Sequence, residues 1–183
     1  ILSNDAEKCG VDGLLMVTPY YNKASQDGLI ESYSYIEERV STPIIIYNVP
    51  SRTGVNIQPE TYLELSKLPL INGAKEASGD ISAFSKSIAL CGENLNFYSG
   101  NDDQIVPLMS LGGVGAISVL SNIMPRETCE ICEKFFAGDI AGAAALQYKY
   151  HAIIDALFSE VNPIPVKAAM AAMGYCRNTL RLP

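Results

Sequence analysis

The sequence has little of what nucleic-acid-binding and membrane-spanning proteins need. It contains 13 lysine and arginine residues against 20 aspartate and glutamate residues, a formal net charge of −7, and no basic cluster interrupts that balance. Binding to nucleic acid depends on clustered positive charge, so nucleic acid is not an expected partner. The longest apolar runs, such as residues 43–47, fall far short of the roughly 20 residues that a membrane-spanning helix needs. We therefore expect no membrane partner either.

Several motifs of cofactor-binding and hydrolytic enzymes are also absent. There is no Walker motif, no GxSxG and no HExxH, and no GxGxxG follows the first predicted strand. The sequence therefore gives no support for ATP binding, serine hydrolysis or zinc proteolysis, and it disfavours a dinucleotide-binding fold. The first ten residues lack the basic start and long apolar stretch of a signal peptide, so we expect a cytoplasmic protein.

Cysteine usage gives no sign of a disulfide framework or a metal site. The five cysteines are an odd number, which suits a reducing compartment. Cys129 and Cys132 form a CxxC in a helical pattern, but there is no second cysteine pair and the single histidine, His151, is distant. The pattern favours two buried thiols on one helix face over a zinc or redox centre. We expect no metal.

Five short apolar, β-branched runs alternate with helical patterns, which is typical of a parallel sheet covered by helices. The predicted strands are residues 13–17, 43–49, 70–75, 95–99 and 114–120, and the predicted helices are residues 26–40, 58–67, 80–90 and 102–111. After Asn122 the sequence is Ala-rich and helical, with breaks at Gly138, at residues 162–165 and near Gly174. Periodicity alone leaves open a doubly wound sheet or part of a (β/α)8 barrel.

Lys75 is the most informative single position. It ends a predicted strand, and the two-residue period places it on one face with Ile71 and Gly73 and places Glu76 on the other. Burial disfavours the charged form of an amine and lowers its pKa, which yields the nucleophile that forms a Schiff base with a carbonyl. The alternative is a strand-end lysine that reaches solvent or pairs with Glu76. The residues alone leave both interpretations open.

Tyr47 and Arg52 favour the Schiff-base interpretation. Tyr47 closes the preceding strand, so its phenol and the Lys75 amine can share one pocket, where a phenol shuttles protons. Arg52 lies five residues further on, and its guanidinium matches a carboxylate in two-point geometry. Taken singly, a buried tyrosine is usually a core residue whose hydroxyl bonds a backbone group, and an arginine in a loop is more often a solvated surface residue. Together they predict a site for a keto acid.

Five strings carry a resemblance to a known family. They are PYYN (19–22), YNVPSRTG (47–54), KEASG (75–79), SGND (99–102) and NPIPVK (162–167). In this order and spacing they closely resemble the dihydrodipicolinate synthase family of lysine-dependent aldolases, a superfamily that includes N-acetylneuraminate lyase. The resemblance covers essentially all 183 residues. It implies an α/β fold with strands 4 to 8 of a (β/α)8 TIM barrel in residues 1–124 and a C-terminal helical domain in residues 125–183.

The resemblance also implies a role for each matching residue. Lys75 matches the lysine that captures pyruvate, and Tyr47 matches the proton-relaying tyrosine beside it. Tyr21 matches a tyrosine that a neighbouring subunit inserts into the site, which implies a homo-oligomer, a dimer or a tetramer. Arg52 matches the arginine that holds the carboxylate of the aldehyde substrate.

Three weaker correspondences complete the implied site. Gly100 and Ile117 match main-chain positions lining the pyruvate pocket, and Tyr20 matches a position at the lysine feedback site of regulated members. The family's first three βα units have no counterpart by this count of strands. Its Gly-Thr-Thr-Gly-Glu segment, which supplies a threonine to the proton relay, also has none.

The implied reaction condenses pyruvate with aspartate 4-semialdehyde through a lysine Schiff base, without a cofactor, to give 4-hydroxy-tetrahydrodipicolinate in diaminopimelate and lysine biosynthesis. One alternative is a pyruvate-forming lyase acting on N-acetylneuraminate or a 2-keto-3-deoxy sugar acid, against which Arg52 and Ser51 argue. A second is a non-catalytic fragment that acts only in assembly.

Overall fold

The fold is built on one parallel sheet, which a computed structural model describes together with the rest of residues 1–182. The strands are β1 (Leu14–Val17), β2 (Ile44–Asn48), β3 (Ile71–Glu76), β4 (Asn96–Ser99) and β5 (Gly115–Ala116). They lie side by side in chain order, and every neighbouring pair is parallel. A doubly wound sheet reverses its strand order at a switch point, so this sequential order favours a barrel arc.

One helix precedes the first strand, others connect the strands, and the last third of the chain is helical. They are α1 (Leu2–Lys8), α2 (Gln26–Glu37), α3 (Pro50–Thr53), α4 (Pro59–Leu65), α5 (Ile81–Cys91), α6 (Ile105–Ser110), α7 (Pro125–Phe136), α8 (Ile140–Leu157) and α9 (Ile164–Ala172). Three of these helices, α2, α5 and α8, have a side-chain N-cap. The capping residues Ser25, Asp80 and Asp139 accept hydrogen bonds from backbone amides in the first turn of their helices. Such caps satisfy amides that have no partner within the helix.

The two faces of the sheet differ in burial. The face toward the helices holds Ile44, Ile46 and Ala74, which are fully buried in a core shared with α2, α4 and α5. On the opposite face, Leu15 and Val17 are 49% and 39% exposed. The core of this part of the chain therefore lies between the sheet and its helices.

A bulge in β3 places Ile71 on the opposite face of the sheet from the one predicted. Ile44 pairs with Ile71, but Ile45 pairs with Gly73, so β3 carries one extra residue at this point. The extra residue reverses the alternation of side chains. Ile71 consequently packs in the helix-facing core, whereas Gly73 contacts Ile45 from the side of the sheet that Lys75 shares. The prediction that Ile71 and Lys75 share a face is wrong.

The last strand is shorter than the predicted residues 114–120. β5 ends at Ala116, and a 3-10 turn runs over Leu120–Asn122. The carboxylate of Asp102 accepts hydrogen bonds of 3.0 and 2.8 Å from the amides of Val119 and Leu120. These two amides therefore bond to a side chain and take no part in sheet pairing. No strand follows Asn122 in the described residues, as predicted.

A second apolar core joins the helical tail to the barrel arc. Its members include Val106 and Met109 of α6 together with buried residues of α7, α8 and α9. The side chain of Gln147 on α8 accepts a 2.8 Å hydrogen bond from the amide of Val106 and donates one to the carbonyl of Asp103. This core crosses residue 124, and a domain boundary at that residue stays a prediction. No helix among residues 1–182 has the length and apolar content to cross a membrane.

Candidate active site

Lys75 is the next-to-last residue of β3 and faces away from the helices. In the register of the sheet it lies between Tyr47 on β2 and Tyr98 on β4. Its side chain is half-buried at the edge of the sheet where the strands end. The parallel arrangement thus brings two aromatic side chains to the same level as the amine.

The amine lies over the ring of Tyr47, with Nζ 4.4 Å from the ring centre. Among the described residues no carboxylate is within salt-bridge distance of Nζ, and Glu76 is bound elsewhere. Burial lowers the pKa of Lys75, the negative charge of Asp102 raises it, and the positive charge of Arg52 lowers it. The net lowering favours the neutral, nucleophilic form of the amine.

Tyr47 keeps its proton in the same surroundings. Burial raises the pKa of its phenol, and the positive charge of Arg52 opposes that rise only in part. A protonated phenol next to an amine can donate a proton to a developing alkoxide and take it back. The pair therefore combines a nucleophile with an acid.

The loop after β2 forms a one-turn helix, α3, that was not predicted. The helix begins at Pro50, a position that proline favours, and ends before Gly54, whose φ of 70° is left-handed. This turn presents Arg52, which is exposed and donates a 3.1 Å hydrogen bond from Nη1 to the carbonyl of Asn162. The guanidinium keeps further N–H groups for a carboxylate.

Four of the predicted residues line one cavity of about 150 Å³: Lys75, Tyr47, Arg52 and Gly100. The other lining residues are Val49, Ser51, Ala77, Asn101, Val119, Phe158 and Asn162. The volume is below the roughly 300 Å³ at which sites for drug-sized ligands begin, so the cavity suits a small metabolite.

Gly100 is needed where it stands because the chain passes close to the lysine. A Cβ at this position would lie 2.9 Å from Ala77 Cβ and 3.1 Å from both Lys75 Cε and the carbonyl oxygen of Glu76. The amide of Gly100 donates a 2.7 Å hydrogen bond to that same carbonyl. Glycine therefore lets the loop after β4 close against the stem of the lysine.

Three predicted residues do not line the cavity. Ile117 follows β5, and its amide donates a 2.8 Å hydrogen bond to the carbonyl of Ser99. Tyr20 and Tyr21 lie in the loop after β1 and are 69% and 90% exposed. Tyr21 has a φ of 72°, a left-handed conformation that is uncommon for a tyrosine.

Sequence reasoning missed the contribution of the helical tail to this cavity. Phe158 follows α8 and Asn162 precedes α9, and both reach the loops that follow the strands. Asn162 begins the string NPIPVK, which was one signal that could have pointed here. Phe158 carried no signal, since only tertiary packing brings the end of α8 to the sheet.

The CxxC on α7 is not a pair of buried thiols. Cys129 is exposed and Cys132 is half-buried, so the prediction for Cys129 is wrong. The two thiols are three positions apart and therefore neighbours on the helix surface, where Cys129 is the more exposed. Within residues 1–182, no group of three or more histidine, cysteine, aspartate or glutamate side chains could hold a metal ion.

Comparison with known proteins identifies the family. The model of the Dihydrodipicolinate synthetase family matches residues 1–183. The chain belongs to this family. A 4-hydroxy-tetrahydrodipicolinate synthase of Caldicellulosiruptor bescii is 57% identical over 182 residues, which cover 100% of this chain and 61% of that protein. The 4-hydroxy-tetrahydrodipicolinate synthase of Clostridium perfringens (strain SM101) is 52% identical over 182 residues, which cover 100% of this chain and 62% of that protein.

Solved structures of the family share the fold. Dihydrodipicolinate synthase from Thermotoga maritima superimposes with a TM-score of 0.97 at 44% identity, covering 100% of this chain and 63% of that one. The chloride-inhibited dihydrodipicolinate synthase from Acinetobacter baumannii, solved in complex with pyruvate, superimposes with a TM-score of 0.96 at 42% identity. The match covers 100% of this chain and 62% of that one. The prediction of a partial TIM barrel followed by helices is confirmed. The chain spans about 61% of the length of the curated relatives it matches.

Replacing Gly100 by alanine is expected to destabilise the fold by about 1–3 kcal/mol, because the added methyl group overpacks against Ala77 and Lys75. Urea denaturation measures this difference. Gly13→Ala is the matched control: the nearest atom to its added Cβ is 3.7 Å away, and its backbone is not left-handed. That variant should be neutral or slightly stabilised by the reduced entropy of the unfolded chain. Equal effects in both variants would contradict the close approach at Gly100.

The lowered pKa of Lys75 predicts a shifted pH dependence of its reactivity. Competitive labelling with acetic anhydride should reach half of its maximum rate at lower pH for Lys75 than for Nα-acetyl-lysine amide, because only the neutral amine reacts. Asp102→Asn should move the midpoint lower still, because the removed carboxylate favours the charged amine. Arg52→Ala should move it higher. Shifts in the reverse directions would refute this assignment of the charges.

Proposed function

We propose that this chain carries the Schiff-base centre of a 4-hydroxy-tetrahydrodipicolinate synthase. The observation that carries the proposal is the amine of Lys75, half-buried over Tyr47 in a cavity that Arg52 and Gly100 also line. A nucleophile, an acid and a carboxylate-binding group meet there at the carboxyl ends of parallel strands. That edge is where barrel enzymes place their active sites.

The first step uses the neutral amine that burial favours. Lys75 Nζ attacks the carbonyl carbon of pyruvate, and the carbonyl oxygen leaves as water, so that a C=N bond replaces C=O. The cationic imine draws electrons from the adjacent methyl carbon, which loses a proton to give an enamine. The enamine carbon then adds to the aldehyde carbon of aspartate 4-semialdehyde. The amino group of that substrate displaces Lys75 and closes the six-membered ring, which releases the lysine for another cycle.

Tyr47 and Arg52 serve this sequence in different ways. The phenol, held protonated by its raised pKa, gives a proton to the oxygen that leaves from pyruvate. Arg52 at the mouth of the cavity binds the carboxylate of the aldehyde substrate through the N–H groups that Asn162 does not occupy. The main chain of Gly100, which lines the cavity, borders the pyruvate. Ile117 lies outside that lining, and a main-chain contact from it to pyruvate is proposed from the family resemblance alone.

The substrates are proposed from the family and the cavity together. The relatives that cover this whole chain are named 4-hydroxy-tetrahydrodipicolinate synthases, and the Acinetobacter baumannii enzyme was solved with pyruvate. These names favour the synthase over a lyase acting on N-acetylneuraminate or a 2-keto-3-deoxy sugar acid. The small cavity and Arg52 agree with two short acids.

We further propose that the protein works in the cytoplasm as a homo-oligomer, a dimer or a tetramer. Tyr21 is exposed away from the cavity of its own chain, which suits a residue that completes the site of a neighbouring subunit. Tyr20 beside it is the proposed contact for lysine as a feedback effector. Residues 1–124 and 125–183 are the proposed barrel and helical domains.

Borohydride trapping tests the proposal in the protein at its full natural length. Pyruvate and borohydride should add one 1-carboxyethyl group, which peptide mapping should place on Lys75. Lys75→Ala should abolish the addition, whereas the exposed control Lys86→Ala should keep it. Tyr47→Phe should still trap pyruvate but turn over about 10² times more slowly, the usual scale for losing an acid-base group. The absence of trapping in the parent protein would leave the non-catalytic interpretation.

Arg52 predicts a difference between the two substrates. Arg52→Ala should raise the KM for aspartate 4-semialdehyde by an amount corresponding to about 1.5–3 kcal/mol, the range for a hydrogen bond to a charged group, and should change the KM for pyruvate much less. Steady-state kinetics with each substrate varied in turn measures both constants. Arg52→Lys is the control that keeps the charge without the two-point geometry. Equal effects on both substrates would indicate that Arg52 mainly anchors the carbonyl of Asn162.

A further inference from the structure

A buried polar cluster lies directly behind the Lys75–Tyr47 pair, on the helix-facing side of the same strands. Its members are Asn48, Tyr62 and Glu76, which we call the back-face triad. They are 1%, 1% and 6% exposed, respectively. Asn48 follows Tyr47 in sequence and Glu76 follows Lys75, so each strand contributes one residue to the cavity and the next to the triad.

The Glu76 carboxylate is the centre of the triad. Tyr62 donates a 2.6 Å hydrogen bond to Oε2, and Asn48 Nδ2 lies 3.2 and 3.1 Å from Oε1 and Oε2. The amide of Ser78 donates a 2.6 Å hydrogen bond to Oε1. Among the described residues no lysine, arginine or histidine is within salt-bridge distance of this carboxylate. A buried acid is therefore held by neutral donors alone.

Burying a carboxylate that has no charged partner lowers the free energy of unfolding. An apolar residue of similar volume would avoid that desolvation penalty. What the polar group adds is direction, because hydrogen bonds fix distances and angles that apolar packing leaves free. Burial raises the pKa of Tyr62 well above its ordinary value, so this hydroxyl remains a donor to Glu76.

The hydrogen bonds of the triad join the ends of two strands. Asn48 pairs with Glu76 in the register of β2 and β3, one step beyond the pairing of Tyr47 with Lys75. Asn48 also binds the loop before α4, accepting a 3.1 Å hydrogen bond from the amide of Ile57 and donating one of 2.8 Å to Asn56 Oδ1. The triad thus connects β2, β3, α4 and the loop between β2 and α4.

Register matters here because the side chains of a strand alternate. A slip of one residue in β3 would move Lys75 to the helix side and Glu76 into the cavity. The bulge at Ile45 and Gly73 already changes the register of this strand pair once, and the pairing of Asn48 with Glu76 lies beyond it at the carboxyl end of both strands.

We propose that the back-face triad is a positioning device that holds the ends of β2 and β3 in the one register that places the Lys75 amine over Tyr47. This role rests on the proposed Schiff-base function. None of the three residues touches the cavity, so they act through Lys75 and Tyr47 and are positioning residues rather than catalytic ones.

Tyr62→Phe is the main test, in the protein at its full natural length. The variant loses the hydrogen bond to Glu76 but keeps the ring, which packs edge-on against Phe97 with the centroids 5.2 Å apart. Tyr33→Phe is the matched control. Tyr33 is equally buried and donates a 3.1 Å hydrogen bond to the carbonyl of Met16, outside the triad. Both variants lose one buried hydroxyl bond, although the bond of Tyr62 to a carboxylate is expected to contribute more to stability than the bond of Tyr33 to a carbonyl. The comparison of kcat, not of stability, therefore tests positioning.

Positioning predicts that Tyr62→Phe lowers kcat about 10-fold or more with little change in the KM for pyruvate, since displacing a reacting group by about 1 Å can cost 10² in rate. Tyr33→Phe should leave kcat unchanged. Glu76→Gln should share the kinetic loss, because its amide nitrogen cannot accept the bonds that one carboxylate oxygen accepts. Unchanged kcat in Tyr62→Phe would overturn the proposal.

Acetic anhydride labelling of Lys75 separates this proposal from the proposed function, because it needs no turnover. In Tyr62→Phe the pH midpoint of labelling should rise toward that of Nα-acetyl-lysine amide as the amine leaves its buried position, and in Tyr33→Phe it should stay at the parent value. If the parent protein fails to trap pyruvate but the midpoints still separate in this way, positioning stands and the Schiff-base function falls. Identical midpoints in all three proteins would overturn positioning whatever the outcome of trapping.

Discussion

The site depends on the parallel pairing of β2 with β3. Because the two strands run in the same direction and end at the same level, Tyr47 and Lys75 are direct neighbours, although 28 positions separate them in the chain. Proximity of the aromatic ring and partial burial then set the chemistry of the amine. A lysine in the same strand without this register would be one more charged residue near a sheet edge.

Each face of these strands makes a different demand on the sequence. The helix-facing side must be apolar to form the core, yet it carries Asn48, Glu76 and the hydroxyl of Tyr62. The opposite side must leave room for the cavity, and Gly73 and Gly100 keep space beside larger neighbours. Polar groups are therefore buried behind the cavity, whereas the Lys75 amine inside it has no carboxylate within salt-bridge distance among the described residues.

The helical tail contributes to the site as well as to stability. Gln147 joins α8 to the start of α6 through bonds to two backbone groups, and the second apolar core packs the same helices together. This packing brings Phe158 and the carbonyl of Asn162 to the mouth of the cavity, where Arg52 binds that carbonyl. The orientation of Arg52 thus depends on residues 110 positions away.

The sequence by itself determined the order of the five strands and of the longer helices between them, the side chains at the strand ends and the resemblance to the family. These features follow from periodicity and turn residues, which are local properties. It also pointed to Lys75, Tyr47 and Arg52 as a group, and the resemblance to the family added Gly100. Tertiary structure alone decided the bulge that moved Ile71, the early end of β5 beside Asp102, the exposure of Cys129 and the arrival of Phe158. These outcomes depend on contacts between segments that are distant in sequence. Local sequence patterns contain no information about how such segments pack against each other.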